Sequence, residues 1–534
     1  MRETHNTLPQ EVEMKSDRSI WIVLCILLVI ALVGIGMVFY QTRFGPSAGG
    51  DSVRYIMTAA NLQSGHGYAR TSGGGEYIPE TGFPPFFSVV LAVLGIASSD
   101  LYAVSRWMNA ILFGVNIFLV GFLIYRNTTS PWPSLIGASL VMVTRYQVVI
   151  HSSVMSEGLF ILLMLLILYG LSWYLDTYRY PVLITTAILV AFATLTRYVG
   201  FALLATGATG LLLLSSTSWK RRAGDIFIYC SLSFLPVLMW LRRNSSIGGS
   251  MTNRQWIYHP MRPEVLQGYI TVVANWVVPP IFVFTYRLRL IIVAVTGLLG
   301  PGIYLFRQIK STWKTRELDR RVFFSLPWLL MMFMAAYLGI LFINSTFLDA
   351  ATTSGAPIRY LSPLYVTFIV LIVLTIYWNV VESRVSKIIG ILTALLAVFV
   401  VIFKAQPTLA LLRDPEPELG YRGFGISFPY LVDALEDIDP SRTLMTNNPE
   451  LLYALIERPA YMWPIYYDAY QLTYNENYDE NVDSARKLMK AGGVLVVFGK
   501  PEEYEMRVVD MLEIKPLTIT DVAIIYSHPD VLSE

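Results

Sequence analysis

Three carboxylates and a set of arginines lie where apolar runs begin or end. Asp51 follows Gly49-Gly50 and opens the stretch Ser52-Val53-Arg54-Tyr55. Glu157 opens a long apolar run after His151-Ser152-Ser153-Val154-Met155-Ser156, and Glu80 sits in Tyr77-Ile78-Pro79-Glu80-Thr81-Gly82-Phe83-Pro84-Pro85. A carboxylate held beside a membrane helix can take a proton from a hydroxyl as a general base. An Asp after glycines can equally cap a helix, and a Glu at a helix start answers the helix dipole. Both readings stand for Asp51 and Glu157. An ionisable group at the edge of an apolar run is a functional candidate in its own right.

Metal and nucleotide chemistry have less support. His66, His151 and His259 are scattered, and the chain has neither HExxH nor a CxxC pair, so each histidine reads as a loop or substrate contact rather than a ligand. There is no Walker A or GxGxxG pattern. Gly73-Gly74-Gly75 reads as a flexible loop, because a phosphate cradle needs a flanking strand and helix. Cys25 and Cys230 both lie in apolar runs, which argues against a structural disulfide.

These residues need elements to hold them, and the composition says which kind. Of 534 residues, 54% are hydrophobic and only 15% charged, far from the quarter or so of charged residues in a soluble domain. A span needs about 20 mostly apolar residues. The stretches 20–40, 101–125, 131–149, 157–175, 223–241, 288–306, 322–343, 361–378 and 387–403 meet that length. Arg197 and Gly200 interrupt 181–214, which is expected to form two short helices meeting at one membrane face. The run Phe86 to Ala97 is too short to cross and is expected to be interfacial or re-entrant. About eleven spans result. The first run lacks a signal-peptide cleavage site and is read as a retained span.

The net charge of +2 conceals an asymmetry. From Arg413 onward there are 10 Lys plus Arg against 22 Asp plus Glu, whereas the first 412 residues hold 30 against 16. The expected organisation is a cytoplasmic tail over 1–19, a transmembrane domain over 20–403 and an extracytoplasmic α/β domain over 404–534. Two long loops, 41–100 and 242–287, are expected outside. Placing the basic 307–321 loop in the cytoplasm orients the chain, because short basic loops stay inside. The outer face then carries arginines with Lys404 as its single lysine. Arginine grips phosphate with a planar fork, where lysine is a point charge. In the C-terminal region, alternating elements suggest a three- or four-stranded sheet, with an aromatic stretch from Tyr461 to Tyr474.

The order of motifs resembles the GT-C superfamily of membrane glycosyltransferases, among them bacterial relatives of protein O-mannosyltransferases and the lipid A aminoarabinose transferase. The resemblance covers roughly residues 20–400. It rests on one span followed by Asp51, Tyr55 and Ala59-Ala60-Asn61-Leu62, then Gly65-His66-Gly67 and Pro84-Pro85. Arg106 and Asn109, Ser156-Glu157-Gly158-Leu159-Phe160, Leu195-Thr196-Arg197-Tyr198-Val199-Gly200, Arg243-Asn244 and Arg359-Tyr360-Leu361-Ser362-Pro363 continue the order. It implies a mainly α polytopic membrane protein with a small C-terminal α/β extracytoplasmic domain. It also implies transfer of a sugar from a polyprenyl-phosphate donor to an acceptor hydroxyl on a glycan, lipid or protein, as part of cell-envelope glycosylation at the plasma membrane.

By the same resemblance Asp51 is the catalytic base and Glu157 the second acid. Arg197 and Arg359 contact the donor phosphate. Glu80, Tyr55, His151 and Arg243 line the substrate pocket. Many relatives have two adjacent acids where this chain has Asp51-Ser52, which leaves a divalent metal open. The alternative function is a lipid-linked glycan flippase or polysaccharide transporter without transferase chemistry. A transporter should show repeats and mid-span ionisable groups, and neither stands out. Nothing in the pattern points to nucleic acid.

Overall fold

The structure, a computed structural model, describes residues 17–277, 325–348, 357–382, 387–413, 428–468, 473–501 and 503–532, with isolated residues between 285 and 306. Most of the expected span 288–306 and all of the basic loop 307–321 lie outside the described residues.

Apolar sequence without charge forms helices in a bilayer because every backbone amide must be paired within the segment. Seven described helices are long and apolar enough to cross: α1 (Asp17–Gln41), α4 (Leu101–Thr128), α7 (Glu157–Thr177), α10 (Trp219–Gly248), α12 (Ser325–Phe347), α13 (Pro357–Glu382) and α14 (Lys387–Arg413). The stretch expected as one span over 131–149 is instead a pair, α5 (Pro131–Met142) and α6 (Arg145–His151), bent by 61°. The bend falls at Val143-Thr144, where the Thr144 hydroxyl bonds back to the Leu140 carbonyl at 2.7 Å and meets the Tyr365 hydroxyl. As the interruption at Arg197 suggests, 181–214 forms two short helices, α8 (Tyr180–Thr196) and α9 (Phe201–Leu214).

Helix α7 lies in the middle of the bundle, flanked by α4, α8, α9, α12 and α13, with Phe160, Met164, Ile167 and Leu168 fully buried. Small residues allow close approach. A Cβ on Gly121 would lie 2.3 Å from Leu27, and one on Gly170 would lie 2.3 Å from the Thr186 hydroxyl. The large apolar residues left exposed on α1 and α14, such as Leu28, Leu32, Leu395 and Phe399, form a lipid-facing rim. Helix α14 continues to Arg413, past the boundary expected at 403. Lys404 and Gln406 ended the apolar run in sequence, but Lys404 turns inward and donates to the Asn275 carbonyl at 3.1 Å.

Between α1 and α4 the chain leaves the bundle. It forms α2 (Asp51–Gln63), the hairpin β1 (Ala69–Thr71) and β2 (Tyr77–Pro79), and the short helix α3 (Phe86–Leu94). At nine residues, α3 is too short to cross. On the same side, α11 (Pro263–Val277) follows an irregular segment.

The C-terminal region is an α/β unit. Its helices are α15 (Pro429–Glu436), α16 (Pro449–Ile456), α17 (Tyr478–Lys490) and α18 (Glu503–Met511). The sheet is larger than the three or four strands expected. Five strands run β4-β3-β7-β9-β8, comprising β3 (Leu444–Thr446), β4 (Tyr461–Met462), β7 (Val494–Phe498), β8 (Lys515–Ile519) and β9 (Ala523–Ser527). β7 pairs in parallel with β3 and antiparallel with β9. Its Leu495 and Val497 pack against α17 and α18, while Val494 and Val496 pack against α15 and α16, which is why this central strand reads as an unbroken apolar run. The two strands beyond those expected, β4 and β8, are the two edges of the sheet, and β8 carries Pro516, where a missing amide is tolerated. A second small ribbon pairs β5 (Tyr467–Asp468) with β6 (Thr473–Tyr474).

Candidate active site

Four charged side chains from four helix ends converge on one face of the bundle. Asp51 is the first residue of α2, Glu157 of α7, Arg359 lies in the first turn of α13, and Arg197 follows the last residue of α8. Arg359 Nη1 is 2.7 Å from Asp51 Oδ2, and its Nε donates to Glu157 Oε1. Arg197 Nη1 lies 2.8 Å from the same Glu157 oxygen and donates to Ser156 Oγ at 3.1 Å. The Tyr55 hydroxyl closes the row, 3.2 Å from Ser156 Oγ. Two carboxylates thus face two guanidinium groups, and the cluster is neutral overall. Exposure grades through it: the Asp51 side chain is 33% exposed and Glu157 is 0% exposed.

Local structure explains each placement. Gly50, not Asp51, is the residue preceding α2, and its φ of +49° is the region that favours glycine. Asp51 therefore does not cap the helix as its sequence allowed; its carboxylate is turned to Arg359. The segments before α2 and α7 are tied by a parallel bridge, with the Ser47 amide donating to Ser152 O at 2.9 Å and the Val154 amide to Ser47 O at 3.0 Å. This pairing sets Asp51 against Glu157 across more than a hundred residues of chain. Arg197 is extended between α8 and a 3₁₀ turn at Tyr198–Gly200. The turn is tight, since a Cβ on Gly200 would lie 2.6 Å from backbone atoms of Thr194.

Behind Glu157 lies a buried polar layer. His151 Nδ1 is 2.7 Å from the Gln147 carbonyl, and its Nε2 is 3.3 Å from Asn116 Nδ2. Asn116 also donates to Gly158 O, and Asn109 to Ser153 O. An Nδ1–H imidazole satisfies both contacts. His151, expected as a substrate contact, is buried here and props the start of α7. Asn109 stands in the motif order, but Asn116 leaves no mark in sequence because a neutral amide inside an apolar run carries no charge signal.

Glu80 and Arg243 form a separate cluster. Arg243 donates to the backbone carbonyls of Glu80 at 2.9 Å and Tyr68 at 3.3 Å, and stacks over Trp240. Asn244 donates to Thr81 O and Met251 O. Arg243 thereby ties α10 to the loop after β2 rather than facing the four-charge cluster. Glu80 Oε1 accepts from the Gly82 amide at 2.7 Å, and its buried Oε2 has no partner among the described residues. Tyr198, beside Arg197, accepts from Trp240 Nε1 at 3.1 Å and links the two clusters.

Burial and the nearby Asp51 charge push the Tyr55 phenol up to about 12, so it keeps its proton at neutral pH and serves as a hydrogen-bonding wall. Among the described residues, no three His, Cys, Asp or Glu side chains are grouped so as to hold a metal ion. Both site carboxylates already face guanidinium groups. The described residues do not fit a metal.

Solved structures superpose on most of the chain. ArnT from Cupriavidus metallidurans, bound to undecaprenyl phosphate, aligns over 96% of this chain and 98% of its own with a TM-score of 0.57 at 13% identity. The archaeal oligosaccharyltransferase AglB from Archaeoglobus fulgidus, in complex with an inhibitory peptide and a dolichol-phosphate, aligns over 90% of this chain and 70% of its own, with a TM-score of 0.52 at 12% identity. The chain has the GT-C fold. No protein-family model and no curated protein matches the sequence. In this version of the GT-C fold, the charged cluster occupies the bundle face from which the 42–100 segment emerges.

Proposed function

We propose that the protein is a membrane glycosyltransferase that moves a sugar from a polyprenyl-phosphate donor to an acceptor hydroxyl on the extracytoplasmic face. Asp51 takes the proton of the acceptor hydroxyl, whose oxygen attacks the anomeric carbon. The bond from that carbon to the phosphate oxygen breaks, and the lipid phosphate leaves with its charge facing the guanidinium groups of Arg359 and Arg197. A single displacement inverts the anomeric carbon and needs no enzyme nucleophile. The observation that carries the reading is the partly exposed Asp51 carboxylate standing 2.7 Å from an arginine that is itself anchored on buried Glu157. Glu157, first read as a second catalytic acid, is assigned a positioning role because burial keeps it from substrate. Tyr55 walls the site from the α2 side.

The test supplies a polyprenyl-phosphate sugar with glycan, lipid and protein acceptors, and compares the wild type with Asp51→Asn. Loss of a general base costs about 10²-fold or more in transfer. Equal transfer by both proteins would remove Asp51 from this role. Orientation is read separately from a cysteine at the exposed Glu476 position. A membrane-impermeant thiol reagent should label it in intact cells, and labelling only after permeabilisation would reverse the topology.

A further inference from the structure

The way Arg359 is shared carries a consequence for the order of events, and it rests on the donor reading just given. A guanidinium offers an anion two bidentate edges, one through Nε and one through its two terminal nitrogens. In this site one nitrogen of each edge already faces a carboxylate: Nε faces Glu157 and Nη1 faces Asp51. A phosphate that grips Arg359 through both terminal nitrogens therefore competes with Asp51 for Nη1.

The two carboxylates are not equal competitors. Glu157 is fully buried, its Oε2 has no partner among the described residues, and it also holds Arg197. Uncoupling a carboxylate that water cannot reach is strongly unfavourable. Asp51 is a third exposed on its side chain and stands at the start of α2, where it can turn to water. Ion pairs that touch solvent are weak, and a charge-assisted bidentate contact to phosphate is stronger.

We propose that Arg359 is shared in turn by Asp51 and the donor phosphate. Glu157 holds its Nε throughout, while the phosphate of the lipid donor takes the terminal nitrogens from Asp51. Asp51 is thereby freed to accept a proton only in the donor complex. Donor binding precedes productive acceptor binding, and an acceptor hydroxyl that arrives first meets a carboxylate already paired.

The test needs neither the sugar nor the acceptor. The full-length protein in lipid nanodiscs is titrated with undecaprenyl phosphate, comparing wild type, Asp51→Asn and Arg359→Gln. Asp51→Asn should bind about twofold to fivefold more tightly, the range set by a solvent-touched pair, and Arg359→Gln should bind more weakly. Unchanged or weaker binding by Asp51→Asn overturns the proposal. A structure of the wild type with the same lipid phosphate should place Arg359 Nη1 on the phosphate and beyond ion-pair distance from Asp51. A phosphate seated with the Asp51–Arg359 pair intact overturns the exchange while leaving the donor reading standing. Inorganic phosphate at the same concentration should bind more weakly, and equal affinity would assign the site to free phosphate instead. Absence of lipid-phosphate binding by the wild type sinks the donor reading and the exchange together.

Discussion

Arg359 meets two carboxylates through different nitrogens, and one oxygen of Glu157 accepts from two arginines. The result is a row in which the inner members are held from both sides and Asp51, at the outer end, is held from one. Removing the Glu157 charge leaves two guanidiniums facing each other over a neutral amide. Glu157→Gln should cost about 3 kcal/mol, the low end for breaking a buried pair because both arginines keep some contact with water. A thermal melt of the purified protein should show a clearly lowered midpoint, whereas Asp51→Asn should melt close to the wild type. A Glu157→Gln protein that melts with the wild type would mean the buried pair contributes nothing.

At the scale of elements, the site depends on how helices end. The run Leu195-Thr196-Arg197-Tyr198-Val199-Gly200 must leave α8, extend for one residue and turn again within a tight 3₁₀ segment. Gly200→Ala puts a methyl 2.6 Å from Thr194 backbone atoms that cannot move aside cheaply. It should weaken binding of a lipid phosphate by displacing Arg197, and hydrogen exchange should speed at the end of α8. Unaltered exchange there would show that the turn absorbs the methyl. Apolar run lengths, together with the break at Arg197, were enough to place most of these elements. Asp51, Glu157, Arg197 and Arg359 stand out in sequence because charge at the edge of an apolar run is costly and needs a reason. Their mutual contacts do not stand out, because they are made by the Ser47–Ser153 bridge, a pairing of two isolated backbone segments that leaves no periodic trace. The partners of Arg243 are illegible for a related reason: it binds backbone carbonyls, which any residue at positions 68 and 80 would supply. The bend between α5 and α6 was likewise hidden in an unbroken apolar stretch.

At the scale of the whole molecule, the C-terminal unit rests on the loop that holds the site. Gly73 and Gly74, at the turn of the β1–β2 hairpin, lie flush against Tyr461 of β4, where a Cβ on Gly73 would be 2.2 Å from the Tyr461 amide nitrogen. Arg54, one turn after Asp51 on α2, lies 3.7 Å from Glu450 at the start of α16. Within the glycine run read in sequence as a flexible loop, Gly73 is therefore a docking point with no room for a side chain against the Tyr461 backbone. Gly73→Val should separate hairpin and sheet, seen as faster hydrogen exchange in β1, β2 and β4 with the rest of the C-terminal sheet unchanged. Equal protection in both proteins would show that the contact is dispensable. The half-buried Arg54–Glu450 pair, open to water on both side chains, adds little by itself.

This docking means that the two regions, so distinct in charge, are not interchangeable parts. Deleting the chain beyond Arg413 would uncover Gly73-Gly74 and strip α2 of its neighbour on the side away from the bundle. An engineered hybrid that borrows the C-terminal unit of another protein would have to import residues 69–79 with it. The hairpin therefore belongs, for the purposes of recombination, to the domain it touches rather than to the segment of sequence that encodes it.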